Sequence, residues 1–249
     1  MGRFIRSALV LGMLAGLASR AAAADDPIDI VKKAITAMGG ADKIEKFKGS
    51  KTTTKGTLSL LGMDIEITSE SVSMYPDKQK NTMSMQVMGN TFTVVQTIVG
   101  DKISMKLNGA DQEIPDAQKS ELKQSTALTR LMNLTPLLSD KSYKLKALGD
   151  SKVDGKDVVG IEVSSDKLKA TKLFFDKTTH LIAKVERMGL DPTGGAEVKQ
   201  EMVYSDHKKT QGIMRPSKTT VLSDGKKMLE STTTKLELME KVDDKEFGE

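Results

Sequence analysis

His180 and His207 are the only two histidines of this sequence, and so the only candidates for a neutral-pH base or a nitrogen ligand to a metal. His180 lies in Phe174-Phe175-Asp176-Lys177-Thr178-Thr179-His180-Leu181-Ile182, where two apolar runs flank five turn-forming residues; this predicts a hairpin with His180 at its solvated tip. His207 falls in Tyr204-Ser205-Asp206-His207-Lys208-Lys209, at the end of a strand. Neither has a second histidine at helical spacing or a nearby cysteine, as a zinc site would require. Asp64 and Glu66 share one face of a strand but alternate with Met63, Ile65 and Ile67, the pattern of a water-facing row. There is no Gly-x-Ser-x-Gly elbow to single out one serine, and no glycine-rich loop to cradle phosphate. No constellation for acid–base, nucleophilic or metal chemistry is present, so the chain is expected to be no enzyme and to need neither cofactor nor metal.

The elements that would position these residues begin after a leader. Two arginines within Met1–Arg6, an uncharged apolar run over 7–19 and Ala21-Ala22-Ala23-Ala24 have the order of a secretory signal, cleaved after Ala24. The apolar run is shorter than the roughly 20 residues that span a bilayer. Cleavage removes Arg3, Arg6 and Arg20, leaving 35 basic residues (38 − 3) against 34 acidic ones. The mature chain is therefore near neutral, with lysines scattered among acids, and nucleic acid is not an expected partner. With no cysteine there is no disulfide and no lipid attached through an N-terminal cysteine. These features predict a soluble, exported, periplasmic protein with one domain over residues 25–249.

Asp26 and Pro27 begin a helix whose apolar face is Ile28, Val31, Ile35 and Met38, and Gly39-Gly40 ends it; residues 41–47 form a further short helix. From Thr57 onward the period becomes two, with breaks at Gly62, Gly89-Asn90, Gly100-Asp101, Asn108-Gly109, Asp154-Gly155 and Asp224-Gly225. Helical spacing returns only between Pro115 and Asp140, as one segment over 117–123 and a second, turn-rich one through Leu128, Leu131, Met132, Leu134 and Leu137. The run Lys51-Thr52-Thr53-Thr54-Lys55 recurs nearly as Ser231-Thr232-Thr233-Thr234-Lys235, which reads as the β-preference of threonine. The fold class is mainly β with a few helices: an antiparallel meander of about eleven or twelve strands. A sheet that long must curl, and its concave face needs the 116–138 helices and the N-terminal helix as cover.

Thirteen methionines (15 less Met1 and Met13) stand against no tryptophan, a filler that adapts to varied apolar partners. The candidate lining of the concave face is Met83, Met85, Val87, Phe92, Val94, Ile103 and Met105 from strands. The cover would add Leu128, Leu131, Met132, Leu134 and Leu137.

Two stretches carry a resemblance. Asp176, Thr179 and Leu181 sit as in the Asp-x-x-Thr-x-Leu hairpin of the outer-membrane lipoprotein-sorting family (LolA/LolB-like), and Tyr204, Asp206, Gly212, Ile213 and Pro216 are similar to its Tyr-x-Asp…Gly-Ile-x-x-Pro stretch. His180 replaces that family's small turn residue. The order of helix, strands, central helices and further strands also matches across most of the mature chain. The resemblance implies an open half-barrel of about eleven antiparallel strands closed by lid helices. It also implies a monomeric periplasmic carrier that shields the acyl chains of lipoproteins or other lipids, sorting lipoproteins to the outer membrane. The alternative on the same scaffold is an envelope sensor or adaptor with a protein partner and no cargo. The family's carriers hold the lid with an early-strand arginine; here no arginine stands between Ala24 and Arg130, which leaves Lys51 or Lys55 for that role.

Overall fold

The computed structural model describes residues 25–191 and 195–248, and the expected leader, 1–24, lies outside the described residues. Asp26 accepts a bond from the Ile28 amide at 2.8 Å and Pro27 occupies the first turn, so α1 (Pro27–Met38) starts where its capping residues set it. It ends at Gly39, φ +123°, where a Cβ would stand 2.4 Å from the Gly212 carbonyl oxygen; only glycine permits that approach. A single further turn and a half, α2 (Ala41–Lys46), leads into the sheet.

The first six strands are β1 (Gly49–Leu60), β2 (Met63–Met74), β3 (Lys78–Val87), β4 (Asn90–Val99), β5 (Lys102–Leu107) and the two-residue β6 (Ala110–Asp111). After α3 (Asp116–Leu131) and α4 (Pro136–Ser139) come β7 (Lys144–Val153), β8 (Lys156–Ser165), β9 (Leu168–Asp176) and β10 (Ile182–Leu190). They are followed by β11 (Glu197–Thr210), β12 (Ile213–Ser223) and β13 (Lys226–Met239). All belong to one antiparallel sheet in the order β6-β5-β4-β3-β2-β1-β13-β12-β11-β10-β9-β8-β7. It does not close on itself, and fits an open half-barrel. There are thirteen strands where about eleven were expected, partly because β6 is too short to leave a pattern in the sequence.

The sheet is two meanders rather than one, joined where β1 pairs with β13. The two threonine-rich runs are the partners that make this join: Thr53 pairs with Lys235, Thr54 with Thr233 and Lys55 with Thr232, across a bulge. Their likeness is thus a feature of one ladder, beyond residue preference alone. Because the join is central, both edges, β6 and β7, flank the helical segment in sequence, and α3–α4 must carry the chain from one edge to the other. The segment expected as two short helical pieces over 116–138 is one continuous helix to Leu131, followed by the four-residue α4. No glycine or proline interrupts residues 116–131, and packing on the sheet supplies the stability that its polar composition lacks.

Helix packing divides the sheet. Val31, Ala34 and Ile35 of α1 and Leu128 and Leu131 of α3 are buried with Ile161, Leu173, Phe175, Val185 and Ile213 in one core. That core belongs to the β8–β13 half. On the β2–β5 half, most inward side chains remain only partly buried.

Candidate lipid-binding cavity

Register fixes which side chains share the helix-bearing face. From β1 to β5, Ser50, Ser73, Gln79, Ile98 and Ile103 form one cross-strand row, and Thr52, Ser71, Asn81, Gln96 and Met105 the next. Thr54, Ser69, Met83, Val94 and Leu107 make a third; Gly56, Ile67, Met85 and Phe92 a fourth. Val87 continues this face on β3, and Leu58 with Ile65, then Leu60 with Met63, complete it toward the β1–β2 tip. All seven strand residues expected to line the concave face therefore do share it, partly buried. The face is not continuously apolar. A band of hydroxyls and amides crosses it, tied together by Ser69 Oγ and Ser71 Oγ donating to Asn81 Oδ1 at 2.6 and 3.0 Å and by a Ser50–Ser73 bond of 2.9 Å.

On the far side of that band lies a cavity of about 260 Å³. Its floor is Ser50 and Thr52 of β1, Tyr204 and His207 of β11, Met214, Arg215 and Pro216 of β12, and Leu236 and Leu238 of β13. Thr129, Met132 and Asn133 roof it, and Met38, Phe47, Leu181 and Ile182 close its flanks. Of the cover residues expected to line a ligand cavity, only Met132 borders this one; Leu128, Leu131, Leu134 and Leu137 are buried in the core instead. The strand set Met83 to Met105 does not reach this cavity either.

The family-motif residues supply its scaffold. Asp176 Oδ1 accepts from the amides of Thr178 and Thr179, at 2.9 and 2.7 Å, and from Thr179 Oγ1 at 3.1 Å, closing the hairpin whose tip holds His180 at φ +57°. Burial works against ionisation of Asp176, but those bonds outweigh it and its pKa is lowered. The hairpin delivers Leu181 to the cavity wall. Asp206, at φ +56°, is an irregularity in β11 whose carbonyl accepts from Ser217 Oγ at 2.6 Å; next to it Tyr204, His207 and Pro216 face the cavity. Asp64 and Glu66 are exposed, as a water-facing row should be.

Sequence reasoning missed the polar groups of this cavity. His207 reads as a strand end, yet its Nε2 is buried with no partner. Burial lowers its pKa, against the Ile182 carbonyl and Asp176, which raise it. Burial likewise pushes the Tyr204 hydroxyl well above the usual phenol range. Tyr75, in the β2–β3 turn, is raised by burial and donates to the Thr129 carbonyl over 3.4 Å. Arg215 Nη2 donates to Asn133 Oδ1 at 2.6 Å, in the α3–α4 connection.

The lid is held by arginines, though by neither lysine expected for it. Lys51 points outward to Glu246 at 2.7 Å, and Lys55 is exposed. Arg187 of β10 is buried and pairs with Glu121 of α3; it also donates to Gln200 Oε1 at 2.8 Å. Beyond it, Gln124 donates to the Lys167 carbonyl at 3.2 Å and accepts from the Lys169 amide at 2.9 Å. Toward the β2–β5 half, α3 has the long Tyr75 bond and an exposed Lys123–Asp101 pair at 2.9 Å. An exposed pair of this kind contributes less than about 1 kcal/mol, whereas breaking a buried one costs about 3–5 kcal/mol. The lid is anchored to the β8–β12 half and rests lightly on the other.

The fold recurs in solved structures. A domain from Vibrio parahaemolyticus described as an outer membrane lipoprotein-sorting protein domain aligns over 89% of this chain and 95% of its own, with a TM-score of 0.53 at 15% identity. A LolA superfamily protein from Nitrosomonas europaea aligns over 89% and 96%, with a TM-score of 0.56 at 12% identity. The fold is LolA-like. A DUF1329 family protein from Desulfovibrio piger shares this LolA-like fold, with a TM-score of 0.58 at 14% identity over 89% of this chain and 97% of that one. No family model and no curated protein matches the sequence. Among the described residues no helix is long and apolar enough to cross a membrane, and no group of His, Cys, Asp or Glu side chains could hold a metal ion.

Proposed function

We propose that this protein is a periplasmic carrier that shields acyl chains, of lipoproteins or other lipids, beneath the α3–α4 lid. The observation that carries this reading is the 260 Å³ cavity, walled by Met38, Phe47, Met132, Met214, Leu236 and Leu238 under a lid fixed on one side only. A cavity of about 150 Å³ with apolar walls already binds benzene. Each methylene brought in from water contributes about 0.8 kcal/mol, so a few of them offset the loss of the light contacts between α3 and the β2–β5 half. Sorting of lipoproteins to the outer membrane is the form of this activity that the LolA-like fold suggests by analogy. In this reading the protein binds its ligand without transforming it, and His180 is a turn residue.

Exchange with a membrane would occur at the β1–β2 and β3–β4 tips. Leu61 and Met88 stand there 79% and 86% exposed, beside the partly exposed Met63. None of residues 81–100 is charged, in a chain that is 29% charged. A hairpin with nothing ionic to desolvate is suited to a lipid surface.

The test is extraction of protein purified from the periplasm, for the wild type and for Thr52→Trp, which puts an indole into the cavity. Lipid recovered from the wild type and lost from the variant is the expected result. Lipid-free wild type whose melting temperature ignores added phospholipid and lipopeptide would refute the reading; a stoichiometric protein partner in its place would favour the adaptor role.

A further inference from the structure

The cavity holds a cation that lacks a counter-ion. The guanidinium of Arg215 presents five donors in a fixed fork, and the lid takes up one of them, Nη2 donating to Asn133 Oδ1 at 2.6 Å. Among the described residues no carboxylate lies within ion-pairing distance of Arg215, and Tyr75, the titratable group that bears on it, is a phenol kept neutral by burial. The other arginine facing the lid, Arg187, is answered by Glu121. Arg187 is thus charge-paired, though its Nε has no partner, whereas Arg215 has no such pair.

Two more polar atoms face the same space without partners. His207 Nε2 is buried and unbonded, and the Tyr204 hydroxyl makes no hydrogen bond although burial dominates its surroundings. Unsatisfied buried groups are rare in folded proteins, and here one stands beside the unpaired side of the Arg215 fork and the Tyr204 hydroxyl, two donors that suit a ligand able to accept hydrogen bonds. The walls opposite are apolar: Phe47, Met132, Met214 and Leu238. At 260 Å³ the hollow is less than twice the volume of a cavity that holds one benzene. That suits one short acyl segment with its head.

We propose that the cavity binds a single-chain amphiphile whose head is an oxyanion, carboxylate or phosphate, seated on the free side of the Arg215 fork. Asn133 holds the guanidinium in plane from the lid, so the head and the lid share one anchor. The Tyr204 hydroxyl offers a further donor to the head, and the tail lies against Phe47, Met132, Met214 and Leu238. The proposal rests on the carrier reading of the same cavity and narrows its ligand from acyl chains in general to anionic ones.

Calorimetric titration of the purified, delipidated full-length mature protein with octanoate, octyl phosphate and octanol tests it. Both anions are expected to bind about tenfold or more tightly than octanol, the worth of one charge-assisted hydrogen bond. The better of the two identifies the head as carboxylate or phosphate. Arg215→Met should erase the preference while leaving octanol binding in place, and Arg215→Lys should keep part of it. Equal binding of octanol and octanoate by the wild type overturns the head anchor and leaves the carrier intact. No binding of any of the three overturns both. The wild-type comparison needs no variant, so a poorly folding Arg215→Met does not spare the proposal.

Discussion

Leu61 and Met88 hold conformations that their side chains disfavour. Among the described residues, six hairpin tips share one geometry, a residue near φ +50° followed by a glycine at positive φ. Three have Asn108, Asp154 and Asp224 at the first position, residues that tolerate the left-handed region. Gln211 is held there by reciprocal bonds of its amide with the Leu238 backbone, at 2.7 and 2.9 Å. The remaining two are Leu61 and Met88, at φ +51° and +50°, which have no such compensation and stand in water. A left-handed residue other than glycine, asparagine or aspartate costs about 1–2 kcal/mol. Leu61→Asn and Met88→Asn should each recover about 1 kcal/mol. The tips are two strand spacings apart, about 10 Å, so the gains should add. For a chain of this size the pair would raise Tm by about 4–8 °C, at 2–4 °C for each kcal/mol. The same substitutions should weaken vesicle association, since burying a leucine or methionine side chain in lipid contributes about 1.5–3 kcal/mol each, or about 10²- to 10⁴-fold in partitioning for the two. Thermal unfolding and co-sedimentation with phospholipid vesicles thus move in opposite directions. A lower Tm would mean that the two side chains pack in the fold, and unchanged sedimentation would mean that the tips do not meet lipid.

Three further outcomes follow from the lid and the cavity. Glu121→Ala leaves Arg187 buried and uncompensated and should cost about 3 kcal/mol in chemical denaturation, while Asp101→Ala, at the exposed contact of the same helix, should change stability by less than about 0.5 kcal/mol. Hydrogen exchange should show residues of α3 opening more readily in Arg215→Met than in the wild type, and equal protection would remove Arg215 from the lid. His207 has a lowered pKa in the folded state, so the unfolded chain binds its proton first as pH falls; the stability this neutral ring permits is present above the ordinary value of 6.5 and declines below it. His207→Gln should flatten Tm between about pH 7 and pH 5.5 relative to the wild type, and parallel profiles would refute the assignment.

Much of this architecture was legible before any coordinates. Asp26-Pro27 and Gly39 bounded α1, and Asn108-Gly109, Asp154-Gly155 and Asp224-Gly225 marked real hairpins. The β3–β4 turn was misplaced by one residue, to Gly89-Asn90, because a methionine occupies the position where turn chemistry looks for asparagine. The join of β1 to β13 was hidden by a separation of nearly the whole chain, though the paired threonine runs were its trace. Alternation placed Met83, Met85, Phe92 and Val94 on one face, but could not say that hydroxyls and amides at Ser69, Ser71 and Asn81 would divide that face from the cavity. Arg187, His207 and Arg215 carry no local pattern: each gains its meaning from a helix or loop at least 25 residues away in sequence, such as Glu121, Ile182 and Asn133.

The chain contains no tryptophan, so Phe47→Trp places a single indole at the cavity wall, and Val95→Trp places one on the opposite sheet face as a control. Titration of each with a fatty acid brominated along its chain reads contact between acyl chain and indole directly. Saturable quenching of the indole at position 47, with none at position 95, is the expected result. No quenching at position 47, or equal quenching at both positions, would contradict the claim that an acyl chain lies beneath the lid.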